Sequence, residues 1–275
     1  ADISDFPNHP FKVKQDEAMA EMVDSVKQYG VLVPALVRPK ADGGYEMVAG
    51  HRRKCAATLA GITEMPCIVR NLTDDEATII MVDSNLQRET ILPSEKAFAY
   101  KMKLEAMKHQ AGRPTQDNYS QVGNNFGTLS SKEMAEELGT SKNQIFRYIR
   151  LTNLVPELLD MVDEKKIAFN PAVELSYLDE SQQRDFLEAM NDTQNAPSLS
   201  QAQRLKKLAQ EGHFSYDVAF AVMGEEKKDE LDKVVIKNDT LRKYFPRSYT
   251  PKQMEDTIIK LLEQWQRKQQ RQNER

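Results

Sequence analysis

The sequence predicts a mixed, mainly helical fold: a small α/β domain first, then an all-helical domain built on a helix-turn-helix, then a mostly helical C-terminal segment. Three observations carry this expectation. Short apolar strands alternate with amphipathic stretches only before residue 93. Two capped helices flank a tight Leu138-Gly139-Thr140 turn. Almost every later segment repeats its apolar residues at helical spacing. At 275 residues the chain exceeds one minimal core. Its boundaries are expected at 1–93 for the α/β domain, 94–128 for a connecting helix and flexible loop, 129–212 for the helix-turn-helix domain and 213–275 for the C-terminal segment.

Composition narrows the function classes. With 40% apolar and 29% charged residues the chain suits a soluble, helix-rich protein. No apolar run approaches the roughly 20 residues of a membrane span, and no secretory signal opens it. Cys55 and Cys67 lie in neither a C-x-x-C nor a zinc spacing, which suggests core thiols in a reducing cytosol. The formal charge of −4 excludes a generally basic nucleic-acid protein and confines any DNA contact to a local surface. The start at Ala1 rather than a methionine leaves room for a missing N-terminal tail.

Taken in order, Asp16–Tyr29 places Met19, Met22, Val23 and Val26 on one helical face, and Gly30 closes the helix. Val31–Arg38 reads as a strand in which Pro34 must sit at an edge or a start. Asp42-Gly43-Gly44 turns it into the strand Tyr45–Val48. A helix then opens at Gly50-His51-Arg52-Arg53. Glycine lets the backbone approach a ligand closely, the first helical turn offers free N–H groups, and the arginines add forked cationic donors, so this junction is a candidate anion site. A solvated helix end is the alternative reading of these residues alone. Cys67–Arg70 forms another strand, and the capping box of Thr73 and Glu76 starts a helix that ends in the polar cluster Asn85, Gln87 and Arg88.

Four stretches in this order, Gly30–Arg38, Gly43–Arg53, Ala60–Pro66 and Ser84–Ala97, resemble the motifs of the ParB/Noc family of DNA-partition proteins. The resemblance implies that the first domain binds CTP with Mg²⁺ and uses it to close a dimeric clamp on DNA. It implies that Gly50, His51, Arg52 and Arg53 hold the triphosphate with Asn85 and Arg88 beside them, Asn85 being the candidate Mg²⁺ ligand. Three departures stand out: Val33 replaces a glutamine, His51 replaces a glutamate, and Ser84 replaces the glutamate associated with metal and hydrolysis. A hydroxyl is a weaker Mg²⁺ ligand than a carboxylate, so the resemblance implies CTP binding and leaves open whether the chain is a CTPase, and no catalytic residue is assigned.

Ser94 is expected to cap a helix through Ala97, Tyr100, Leu104 and Met107, followed by a loop from Ala111 to Gly127. In the helix-turn-helix, Ser130 with Glu133 and Ser141 with Gln144 are expected as capping boxes, and Ala135, Leu138, Ile145 and Ile149 as its core. The second helix then offers Ser141, Lys142, Asn143, Gln144, Arg147 and Arg150 to DNA, where Asn and Gln suit adenine and Lys and Arg suit guanine or phosphate. Lys165, Lys166 and Asn170 are further phosphate candidates. Helices follow at Ser181–Met190 and Ser200–Gln210, then a charge run at 225–233 and a short strand at Val234–Ile236. A last helix, capped by Thr250, carries Met254, Ile258, Leu261, Leu262 and Trp265, and serves either dimerisation or packing within the chain.

The expected function is therefore a cytoplasmic, nucleoid-associated, sequence-specific binder of double-stranded DNA at a palindromic site. It would act as a homodimer with a ParA-type ATPase partner, switched by CTP, away from any membrane. The alternatives are a transcription regulator or adaptor of the same fold without nucleotide use, and a phosphotransferase of the related sulfiredoxin fold. The latter needs a cysteine directly after the glycine, where this chain has His51.

Overall fold

The computed structural model describes residues 2–88, 90–110, 126–225, 241, 243–246 and 248–273, with backbone only at 126–129 and 268–273. Two compact units emerge, residues 1–225 and 226–275.

The first unit opens with a four-stranded mixed sheet in the order β1-β3-β2-β4, with β1 at Ile3–Ser4, β2 at Ala35–Pro39, β3 at Tyr45–Ala49 and β4 at Cys67–Val69. β2 and β3 are antiparallel across the Gly43-Gly44 turn, both glycines having positive φ, while β1 joins β3 and β4 joins β2 in parallel. The strand expected from Val31 starts only at Ala35: Pro34 lacks the N–H a central strand requires, so pairing begins one residue after it. Helix α1 (Glu17–Tyr29) buries Met19, Val23 and Val26 as expected and ends at Gly30 with φ +70°. These three pack against Ala56 and Ala57 of α2 (His51–Leu59). Helix α3 (Asp74–Leu86) starts on the complete Thr73–Glu76 capping box and packs Ala77, Met81 and Val82 with Val48, Phe6 and Phe11.

Helix α4 (Pro93–Gln110) departs from expectation at its start. Pro93 takes the first helical position, Leu92 precedes it with its N–H donated to Glu95 Oε2 at 2.9 Å, and Ser94 lies inside the first turn. There Ser94 is not a cap; its N–H and hydroxyl both bond Asp163. Helix α5 (Phe126–Glu137) begins before the expected Ser130 cap, so its first two residues replace the end of the expected loop. Ser130 and Ser131 lie buried in its interior, small enough for close packing, and tertiary contact overrides the local capping signal. The rest of the loop, 111–125, lies outside the described residues. Gly139 (φ +61°) makes the turn to α6 (Lys142–Arg150), which Ser141 caps by accepting from Gln144 N at 3.1 Å. Ala135 and Ile145 form the expected core with Leu138 and Ile149, joined by Met134 and by Tyr100 and Leu104 of α4.

A 3₁₀ turn at Leu151–Asn153 leads into α7 (Pro156–Asp163), α8 (Phe169–Leu175), α9 (Glu180–Thr193), α10 (Leu199–Gln210) and α11 (Tyr216–Gly224). Their core gathers Leu151, Leu158, Ile167, Leu175, Phe186, Leu205 and Met223 around Ala97. The second unit contains α12 (Pro251–Asn273), started by a reciprocal Thr250–Gln253 pair. Met254 is buried, while Leu261, Leu262 and Trp265 are exposed. The charge run after Glu225 and the expected strand at 234–236 lie outside the described residues.

Lys103 of α4 is 1% exposed, and its ammonium meets Asp83 of α3 at 2.5 Å and Glu137 of α5 at 2.7 Å. Removing both carboxylates (Asp83→Asn with Glu137→Gln) strands a buried charge and is expected to cost about 3–5 kcal/mol in urea unfolding. Lys103→Met, which keeps the stem and removes the charge, is expected to cost less than about 1 kcal/mol. Equal losses for the two would contradict this account.

Candidate anion site and candidate DNA interface

The junction between β3 and α2 is built around Gly50. It takes φ +117°, and a Cβ there would stand 2.9 Å from Ala35 Cβ and 3.3 Å from Arg53 Nη2. Both the backbone angle and the space exclude other residues. α2 therefore starts with no side-chain cap, its N-terminal N–H groups free for another acceptor.

Around this turn lies a set of unpartnered buried nitrogens and cations. His51 is 8% exposed, and its ring packs against that of His9, centroids 3.9 Å apart and the planes tilted by 40°. His9 comes from the irregular segment after β1. Among the described residues, His9 Nε2, His51 Nε2 and Arg52 Nε are buried without a hydrogen-bond partner. A buried polar nitrogen without a partner is costly, so three beside one uncapped helix start mark a place prepared for a polar ligand. The Arg52 guanidinium meets Asp16 only at 3.6 Å. Arg88, just beyond α3, lies over the Phe11 ring at 5.3 Å, and its charge acts on His9 and His51. Burial holds the Arg88 pKa below the ordinary arginine range. Burial, then the neighbouring His9, pushes the His51 pKa down to about 4.

The structure thus brings Gly50, His51, Arg52 and Arg88 together and treats the other two expected residues differently. Arg53 turns toward the entry of β2, where Nη1 donates to the carbonyls of Val33 and Pro34, each at 2.6 Å. Asn85 is buried, its amide donating to Met81 O at 2.8 Å. Ser84 donates its hydroxyl to the same carbonyl at 2.9 Å. The nearby carboxylates are committed, Asp83 to Lys103 and Glu95 to the N–H groups of Lys12 and Leu92. The described residues hold no cluster of three or more His, Cys, Asp or Glu that could bind a metal. His9 carries no sequence signal: it stands in a segment without periodicity.

The second surface is centred on α6. Ser141 and Asn143 are exposed and Lys142, Gln144, Arg147 and Arg150 partly so, as the sequence predicts. Neighbouring elements hold the arginines in place. Arg147 donates to Asn170 Oδ1 at 2.5 Å and lies over Phe169, so Asn170 orients an arginine. Arg150 donates to Ser176 O at 3.2 Å, and its guanidinium lies 3.7 Å from the Tyr177 ring centroid. Lys206 of α10 approaches the same ring at 3.6 Å. Lys166 is paired with Glu164 at 2.6 Å, and Lys165 takes φ +62° at the turn after α7. Phe146, 47% exposed on α6, and Tyr177, 44% exposed, belong to this face and were not anticipated.

Two family models match the chain: the ParB N-terminal domain over residues 1–86 and the ParB HTH domain over residues 116–210. The chromosome-partitioning protein Spo0J of Thermus thermophilus is 35% identical over 179 residues, 65% of this chain and 58% of that protein. The stage 0 sporulation protein J of Bacillus subtilis is 35% identical over 164 residues, 60% of this chain and 51% of that one. The chain thus spans between half and three-fifths of these curated relatives. A solved structure of C-terminally truncated ParB from Caulobacter crescentus, complexed with CTP-γ-S, aligns at 27% identity over 63% of this chain and 87% of that one, with a TM-score of 0.30.

A neutral, buried His51 has a pH consequence. The unfolded chain takes up a proton near pH 6.5 that the folded chain refuses until about pH 4. Stability is expected to fall as pH drops from about 6.5 to about 4, by at most about 3 kcal/mol from this group. His51→Asn should flatten that part of the urea-unfolding profile. An unchanged slope would show that His51 is not the group responsible.

Proposed function

The chain belongs to the ParB family, and on that premise we propose that it is a sequence-specific DNA-binding partition protein whose first domain is switched by CTP. The observation that carries the nucleotide half is the trio of buried, unpartnered nitrogens at the uncapped start of α2, on His9, His51 and Arg52, with Arg88 beside them. A helix N-terminus with fixed cations suits a polyphosphate. The cytosine base and the closing of a dimeric clamp come from the family resemblance. Gly50, His51, Arg52 and Arg88 take the phosphates. Arg53 holds the β2 entry in this structure and joins them only by releasing the Val33 and Pro34 carbonyls.

The protein residues fit Mg²⁺ poorly, since the nearby carboxylates are committed elsewhere and Asn85 is buried and offers only a neutral carbonyl oxygen. The metal would therefore come on the nucleotide rather than be held by the protein. Ser84, bonded to its own helix, offers no carboxylate for hydrolysis, so the proposal is binding, with no hydrolytic residue assigned.

For DNA, α6 enters the major groove with Ser141, Lys142, Asn143, Gln144, Arg147 and Arg150. Two chains with paired α12 helices bind a palindromic site, in the cytoplasm on the nucleoid, alongside a ParA-type ATPase. The exposed Leu261, Leu262 and Trp265 support the pairing.

Calorimetric titration is expected to show CTP binding in preference to ATP, GTP and UTP, and Arg52→Ala to weaken it at least tenfold, the loss of about one charge-assisted bond. Absence of CTP binding would favour the adaptor without nucleotide use. On a DNA site obtained by selection from random sequence, Arg147→Ala should cost about 1–3 kcal/mol and relax the preference at one base position. Unchanged affinity would remove α6 from the groove.

A further inference from the structure

The family motifs supply phosphate contacts from two stretches, yet a third stretch stands against the Gly50 turn. The Nδ1 of His9 lies 2.8 Å from the carbonyl oxygen of Phe11. A carbonyl only accepts, so Nδ1 carries the hydrogen, and the neutral ring then has a bare lone pair at Nε2. That nitrogen is buried and has no partner, and the same holds for Nε2 of the adjoining His51. A bare lone pair repels a phosphate oxygen; the protonated nitrogen donates to it.

The surroundings leave such a proton uncompensated in the free chain. Asp5, Lys54 on α2, Arg88 after α3 and Glu95 on α4 act on the pair, and Arg52 acts on Arg88. Asp5 is already held by Lys54 at 2.6 Å, and Glu95 accepts two backbone N–H groups. Burial keeps both rings below the usual histidine range. A polyphosphate arriving at α2 brings the negative charge that is missing.

We propose that His9 is a phosphate ligand from outside both sequence motifs and that it binds as the imidazolium, so that nucleotide binding takes up a proton. This rests on the nucleotide reading of the same site. The sign of the pH dependence separates it from ordinary phosphate titration. A terminal phosphate loses its last proton near pH ~6 and binds cations more tightly as pH rises. Histidine uptake acts the other way, weakening binding by up to about tenfold per pH unit for one proton.

The test is CTP titrated calorimetrically into the full chain between pH 7 and 8.5, in two buffers of different ionisation enthalpy. The expected result is a buffer-dependent heat that reports proton uptake, with affinity falling as pH rises. His9→Asn should abolish both effects, and His9→Lys, charged throughout, should hold its affinity at pH 8.5. The buffer-dependent heat of the unaltered chain reads the proposal even if a variant folds poorly. Binding without proton uptake would overturn the role of His9 and leave the nucleotide site standing. No CTP binding at any pH would overturn the nucleotide reading itself, and this inference with it.

Discussion

Helix α4 packs against three cores and keeps one exposed stripe, Phe98, Lys101 and Glu105, and the first unit is arranged around that constraint. Ala97 enters the core of α7 to α11, Ala99 the core under the sheet, and Tyr100 and Leu104 the core of the helix-turn-helix. Small residues let three bodies approach one helix, which is why no single amphipathic stripe describes it. The cost is a buried Lys103, tolerable only because α3 and α5 each deliver a carboxylate to it. α4 therefore sets where the end of α3, with Arg88, stands relative to α5 and α6.

At the other end of the N-terminal domain, the approach of Gly50 to Ala35 does a similar job on a smaller scale. The turn exists because one residue lacks a Cβ, and the α2 start it produces has no cap of its own. His51 and Arg52 follow directly, and His51 Nε2 and Arg52 Nε are buried without partners. A folded chain carries such unpartnered buried nitrogens at a cost, and a ligand that pairs with them offsets it.

Elements with local signals were legible in the sequence. α1, the Gly43-Gly44 hairpin, the Thr73 capping box, the Gly139 turn and the helix-turn-helix core all follow from periodicity and capping chemistry. Features decided by distant contacts were not. β1 is two residues long, and its pairing with β3 leaves no pattern. Ser130 resembles a cap, yet the burial of Ser130 and Ser131 extends α5 beyond it. Ser94 resembles a cap too, but Pro93 and Asp163 place it inside the helix. α11 was passed over because it is short and apolar around most of its surface. In the anion site the motif residues could be named in advance, but not the turning of Arg53 toward the Val33 and Pro34 carbonyls, nor the arrival of His9. Both depend on how a loop folds back onto the turn.

The chain has four histidines, two at this turn and two, His109 and His213, elsewhere in the sequence. Imidazole resonances in an NMR titration with CTP therefore report the site with built-in controls. The account predicts that the His9 and His51 signals shift together and saturably while those of His109 and His213 do not. Saturable binding that leaves His9 and His51 unmoved would contradict it, because the nucleotide would then lie away from the Gly50 turn.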